Sequence, residues 1–260
     1  MTHRTSGFSL IEMAFVLIIV TLLLGGLLVP FATQVEQKRI AETNKAMEEI
    51  KEALIGYAAS HGAAGAPHLP CPDTAVAVAG FTPDDGQEDV YPLGTAQGGT
   101  CAASEGNLPW ANLGVGAQDA WGNRFHYRVT AVFADRAPAP NPGFDLNPPT
   151  GDIRICSSAA PAASGTCPAI ATSIPAIVIS FGKNGRGALS VNGNRYPAPA
   201  SADERENYGT FIVPAFGQGN EFVSRTLTAA NTPVGEFDDQ VIWLSPNVLF
   251  NRMVAAGRLP

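Results

Sequence analysis

Hydrophobic and polar positions divide the chain into three textures. From Phe8 to Val29 the residues are apolar almost without a break, interrupted by Glu12. As a helix this run spans about 33 Å, enough for the ~30 Å hydrocarbon layer of a bilayer. Next, Ile40, Met47, Ile50, Leu54 and Tyr57 recur at spacings of three, four and seven among charged residues from Glu36 to Glu52. Helical periodicity therefore continues, now with a single apolar stripe that needs a sheet to lie on. Glu42 with Lys45 and Glu48 with Lys51 are spaced to pair along it. His61 to Gly65 marks the end, so one helix is expected from about Phe8 to Ser60, roughly 80 Å long, with Gly25, Gly26 and Pro30 as points of bending.

The third texture is alternation between turns. Phe125, Tyr127 and Val129 point one way and Arg124, His126 and Arg128 the other, which predicts a half-buried strand with His126 on its outward face. Ile174 to Phe181 is a nearly continuous apolar strand ending in the turn Gly182 to Gly187. Asp238 to Ser245 is a third strand leading into a short helix, with Ser245 as its cap, Pro246 at its first position and Gly257 to close it. The fold class expected is α+β: a long N-terminal transmembrane and amphipathic helix packed on an antiparallel β-sheet head.

Composition sharpens this. Most of the 27 Gly and 21 Pro lie beyond residue 60, so short strands and long loops are expected there. The balance of 16 basic against 23 acidic residues, a net −7 with no Lys/Arg cluster, argues against a nucleic-acid surface. Cys71, Cys101, Cys156 and Cys167 form no CxxC and have no His at zinc-ligand spacing, which points to two disulfides in an oxidising compartment. Three connectivities are possible, the sequential one being preferred.

The start of the chain carries the most specific pattern. A secretory signal peptide fits poorly, because the apolar core is too long and Pro30 to Gln34 holds no Ala-x-Ala site. A plain signal anchor leaves Glu12 unexplained, since a carboxylate at membrane depth costs about 2.5–3.5 kcal/mol. MTHRTSG is a short, slightly basic leader, and Gly7 is followed at once by Phe8-Ser9-Leu10-Ile11-Glu12. In these residues the chain resembles the type IV pilin family, including the pseudopilins of type II secretion systems.

That resemblance implies cleavage between Gly7 and Phe8 by a prepilin peptidase, then N-methylation of Phe8. It also implies a leader at 1–7, a transmembrane half-helix at 8–30, an amphipathic periplasmic half at 31–61 and a β-rich periplasmic head at 62–260. In a stack of subunits the Glu12 carboxylate would meet the Phe8 ammonium of a neighbour and set axial register. The function implied is structural: a minor pilin or pseudopilin, single-pass in the inner membrane and then in a filament. Its partners would be other pilin or pseudopilin subunits, the peptidase, and an inner-membrane assembly platform with its ATPase. The alternatives are a filament-tip adhesin or a membrane-anchored periplasmic protein of other function.

A second, shorter resemblance lies in Asp119-Ala-Trp-Gly-Asn123, the turn Gly182 to Gly187 and Asp238-Asp239-Gln-Val-Ile-Trp243, which is similar to the carboxy-terminal region of major pseudopilins. In those relatives the Gly-rich loop binds calcium. Here Lys183, Asn184 and Arg186 stand where acids are wanted, so only Asp238 and Asp239 remain as side-chain ligands, calcium is disfavoured, and no cofactor or metal is expected. Asp84, Asp85, Glu88 and Asp89 form a second acidic loop, taken as a hydrated turn. An enzyme is not expected: hydrolase, zinc-protease and P-loop signatures are lacking, and His3, His61, His68 and His126 are dispersed. Trp121 and Trp243 are expected in the core rather than in a sugar-binding patch with Trp110 and Tyr91.

Overall fold

The computed structural model describes residues 7, 9–62, 66–74, 80–91, 99–136, 143–145, 150–159, 166–208 and 220–260, and the side chains of 24–31 are left aside. The leader residues 1–6, Phe8 and most of the loop at 137–149 lie outside the described residues. The elements in order are helix α1 (Leu10–Ser60), strands β1 (Val90–Tyr91), β2 (Thr100–Cys101) and β3 (Glu105–Asn107), helix α2 (Trp110–Leu113), β4 (His126–Val129), α3 (Ala131–Ala134), β5 (Ile153–Cys156), β6 (Ala169–Ile174), β7 (Ala176–Ser180), α4 (Ala202–Tyr208), β8 (Glu221–Val223), β9 (Gln240–Leu244) and α5 (Pro246–Ala255). They fall into two units, one ending at Ala41 and one running from Glu42 to Pro260.

The first unit corrects the membrane assignment. Although α1 has 51 residues, no helix among the described residues is long and apolar enough to cross a membrane. Among the side chains described at its start, from Leu10 to Leu23, the apolar run is interrupted by Glu12 and Thr21. Residues 8–30 therefore do not stand as a transmembrane span. The single-pass inner-membrane location inferred from them falls with it.

The second unit is built around a four-stranded antiparallel sheet, ordered β3-β4-β7-β9. On one face Met47, Ile50 and Leu54 of α1 join Phe125, Tyr127, Val129, Ala176, Val178 and Leu244 from the sheet and Leu249 and Met253 from α5. On the other face Ile177 and Ile179 meet Ile153, Ile155 and Phe222 of a three-stranded sheet, ordered β6-β5-β8. Alternate residues of β7 thus serve opposite cores, and every one is buried, which is why its sequence is continuously apolar. The sheets are not wholly antiparallel as expected, because β5 pairs with β8 in parallel. The expected strand from Ile174 to Phe181 divides at Pro175, each half belonging to a different sheet.

Having a second core corrects the reading of β4, whose four residues are all buried. His126 is 1% exposed and paired with Glu105 at 2.9 Å. Arg128 bonds Asp152 at 2.9 Å and the Asn220 side chain at 2.7 Å. The polar half of an alternating strand faces protein here rather than water, with each charge met by a partner.

The lower half of α1 is held by polar contacts as well. Its buried face contains Thr43, whose Oγ1 accepts the Ala120 N–H at 3.2 Å. The Tyr57 hydroxyl donates to Glu88 at 2.7 Å, and Glu88 also pairs with buried Arg136. Along the outside, Lys45 pairs with Glu49 and Lys51 with Glu48. The helix ends where Gly62 takes φ +89°, a conformation closed to most side chains. At the other end of the chain, Pro246 opens α5 and Gly257, at φ +66°, closes it, while Ser245 makes no side-chain cap bond.

Candidate functional site

Two places bring the singled-out residues together. The first is the start of α1. Gly7 is exposed, and a Cβ added there would touch nothing, while Phe8 lies outside the described residues. Ser9 and Glu12 form a reciprocal cap: the Ser9 N–H donates to Glu12 Oε2 at 3.0 Å, and the Glu12 N–H donates to Ser9 Oγ at 3.3 Å. Three-residue Ser-to-Glu spacing is the signature of a capping box, in which two otherwise orphaned amides are satisfied. Glu12 thus has a local structural role that the sequence reading missed, although the spacing that announces it is printed in Ser9-Leu10-Ile11-Glu12.

Beyond this cap, Phe15, Val16, Leu17, Ile18, Ile19 and Val20 are each at least 42% exposed. Six successive residues at about 100° per step go right round a helix, so this segment is apolar on every side rather than along one stripe. Leu10 at 92% and Leu22 at 72% extend the same surface.

The second place joins the Gly-rich turn, α4 and the approach to β9. Gly182 has φ +58°, and a Cβ there would collide with the Asp238 carbonyl. Gly187 lies against the Tyr208 ring in the same way. These glycines let the turn, the strand approach and α4 close on one another. The ligand oxygens of Glu204, Asp238 and Asp239 consequently lie within 4.8 Å of one another.

Neutral amides reach this cluster. The Asn184 N–H donates to Asp238 Oδ2 at 2.7 Å, the Asp238 N–H to Glu204 Oε1 at 3.2 Å, and Asn207 Nδ2 to Asp239 Oδ2 at 2.9 Å. Glu204 Oε2 and Asp238 Oδ1 are buried and have no hydrogen-bond partner. Burial pushes the Asp238 carboxyl up to about 7 and holds Asp239 well above the usual carboxylate range; Glu204 is raised for the same reason. Asp238 and Asp239 were singled out by sequence, whereas Glu204 was not. Its place in Ser201-Ala-Asp-Glu204 imitates a capping box, yet its side chain turns inward and is 1% exposed.

The remaining candidates are engaged elsewhere. Cys71 is bonded to Cys101 and Cys156 to Cys167, the sequential pairing. In the loop at 82–90, Asp84 binds Arg124, and Asp89 accepts from both the N–H and the hydroxyl of Thr74. Asp73, pushed up to about 7 by burial, accepts the N–H groups of Asp84 and Gly86. Asp119 accepts from the Trp121 and Asn123 amides and from the Ser180 hydroxyl, which fixes its turn. Trp110 lies under the Arg124 guanidinium at 4.0 Å, Tyr91 meets Phe81 edge-on, and Trp243 packs against the second core.

No family model matches this chain, and no curated protein or solved structure matches it significantly.

Proposed function

We propose that the chain is a structural subunit of a pilin-like filament, a minor pilin or pseudopilin processed between Gly7 and Phe8 by a prepilin peptidase. The observation that carries this reading is the exposed helical segment from Leu10 to Leu23. Burying a large aliphatic side chain contributes about 1.5–3 kcal/mol, so a surface of this size favours being covered. Because it is apolar all round, one groove cannot satisfy it; several like helices can. Its occupant is therefore the same segment of neighbouring subunits, bundled at the centre of a polymer. Other pilin or pseudopilin subunits are the direct partners, and an assembly platform with its ATPase supplies the energy.

Glu12 then has two roles that one substitution cannot separate. Glu12→Ala removes both the cap and the charge, but Glu12→Gln keeps a side chain that serves in a capping box and removes only the charge that would answer a neighbour's Phe8 ammonium. Expressed with an assembly apparatus, the Gln variant should be cleaved to begin at Phe8, by mass spectrometry, and be depleted from the sheared filament fraction. Material that still begins at Met1 would refute the processing step. Wild-type incorporation of the Gln variant would refute the pairing.

A further inference from the structure

We infer that β9 is an open docking edge and that its occupant is the β9 of a second copy, paired antiparallel across a two-fold axis so that two four-stranded sheets join edge to edge. The inference is independent of the filament reading, since it uses the folded head alone. Open strand edges invite pairing, and folded chains block them. Among the described residues the other long edges are blocked. β3 is closed by Asp73, which exchanges both backbone bonds with Asn107. β8 is closed by Asn207, whose side-chain amide accepts the Val223 N–H at 2.7 Å and donates to the Val223 carbonyl at 3.0 Å. β6 shifts register twice against β5 and carries Ser173 at φ +59°.

β9 has none of these devices. It pairs with β7 in unbroken register from Gln240 opposite Ser180 to Leu244 opposite Ala176. Among the described residues, nothing bonds to the amides and carbonyls that it turns away from β7. The strand holds no charge, no proline and no glycine. Val241 and Trp243 pack on the second core and Ile242 on the main one, and all three are only half-buried. An apolar run of this kind belongs in the middle of a sheet, with both faces covered, yet it lies at the margin.

The blocked edges narrow the occupant. A head-to-tail contact between copies needs a second, different open edge; β3, β6 and β8 do not offer one, and β1 and β2 have two residues each. The same edge of another copy does, in a self-complementary contact. Charge then sets the direction. Parallel pairing would put Asp238 and Asp239 of the two copies side by side, and like charges opposed across strands are destabilising. Antiparallel pairing centred on Ile242 puts them at the N-terminus of the other copy's α5, where Ser245 makes no side-chain cap bond and negative charge is favoured.

The test uses the full chain in a nonionic detergent that covers the exposed segment from Leu10 to Leu23. Sedimentation at rising concentration should approach twice the 27.1 kDa of one chain, and hydrogen exchange at residues 240–244 should slow in step with it. Ile242→Lys sets two ammonium groups together at the axis and should halve the mass. Should that variant not fold, a synthetic peptide of residues 239–245, added to the wild type, should halve it by occupying the edge. A wild-type chain that stays single at every concentration would overturn the proposal; if it nevertheless binds the peptide, the edge serves a strand of a different protein. A doubled mass with exchange at β9 unchanged, or one that persists in folded Ile242→Lys, would also overturn it, because the copies then meet elsewhere.

Discussion

Removing the Cys71–Cys101 bridge should loosen a helix in which neither cysteine lies. The bridge spans 30 positions, and Glu88 sits inside the loop it closes. The Cys71 N–H donates to Glu88 Oε2 at 3.2 Å, and the same carboxylate holds Arg136 and accepts the Tyr57 hydroxyl of α1. On chain entropy alone, opening a loop of 30 costs about 3.6 kcal/mol, and opening the 11-residue loop of Cys156–Cys167 about 2.8 kcal/mol. For a chain of this size those losses lower the unfolding midpoint by about 7–14 °C and 6–11 °C. Cys71→Ser with Cys101→Ser should therefore be the more damaging pair, read by urea unfolding. Hydrogen exchange supplies the second measure. Amides from Met47 to Ser60 should lose protection in the first variant beyond its global destabilisation, and keep pace with global stability in the second. If the shorter loop proves the costlier, or if α1 amides respond equally in both variants, the link through Glu88 is wrong.

Two smaller tests follow from buried groups. Thr43→Val keeps the shape of the α1 face but leaves the Ala120 N–H without its acceptor; a loss of about 1 kcal/mol is expected in urea unfolding, and an unchanged midpoint would mean that water replaces the hydroxyl. Burial first, then the Arg136 charge, lowers the pKa of His68 from 6.5 to about 4, with Glu88, His61 and Arg258 also acting on it. Its folded pKa lies below its unfolded one, so this contribution is intact above about pH 6.5 and is lost as pH falls toward 4. Between pH 7 and pH 5 the wild type should lose up to about 2 kcal/mol, and His68→Gln should flatten that fall; an equal fall in both proteins would clear His68.

Local pattern carried much of this fold into the sequence. The Met47, Ile50, Leu54 and Tyr57 stripe, the continuous apolar run that became β7, and the Pro246 and Gly257 ends of α5 follow from periodicity and backbone preference, and each is where it was expected. What was illegible depended on a second layer. His126 and Arg128 looked solvent-facing because alternation shows which residues differ, not what covers the polar side, and their partners Glu105, Asp152 and Asn220 are distant along the chain. The parallel β5–β8 pairing has no local signature at all. Glu204 was hidden because it lies 34 residues from Asp238 along the chain, and only tertiary packing brings the two together. The membrane reading rested on a count of apolar residues, and no helix among the described residues is long and apolar enough to bear it out.

The closure of the main core across the chain has a consequence for biosynthesis. Leu249, Met253 and Leu259 complete the same core as Met47, Ile50 and Leu54, and Arg258 grips the His61 carbonyl from 197 residues away. At a translation rate of about 5–20 residues per second, the apolar stripe of α1 has left the ribosome about 10–40 seconds before its last wall exists. A nascent-chain chaperone that shields the stripe through that interval would matter more to yield than any change in final stability, and a stop codon ahead of Leu249 would leave the core without the wall that Leu249, Met253 and Leu259 supply.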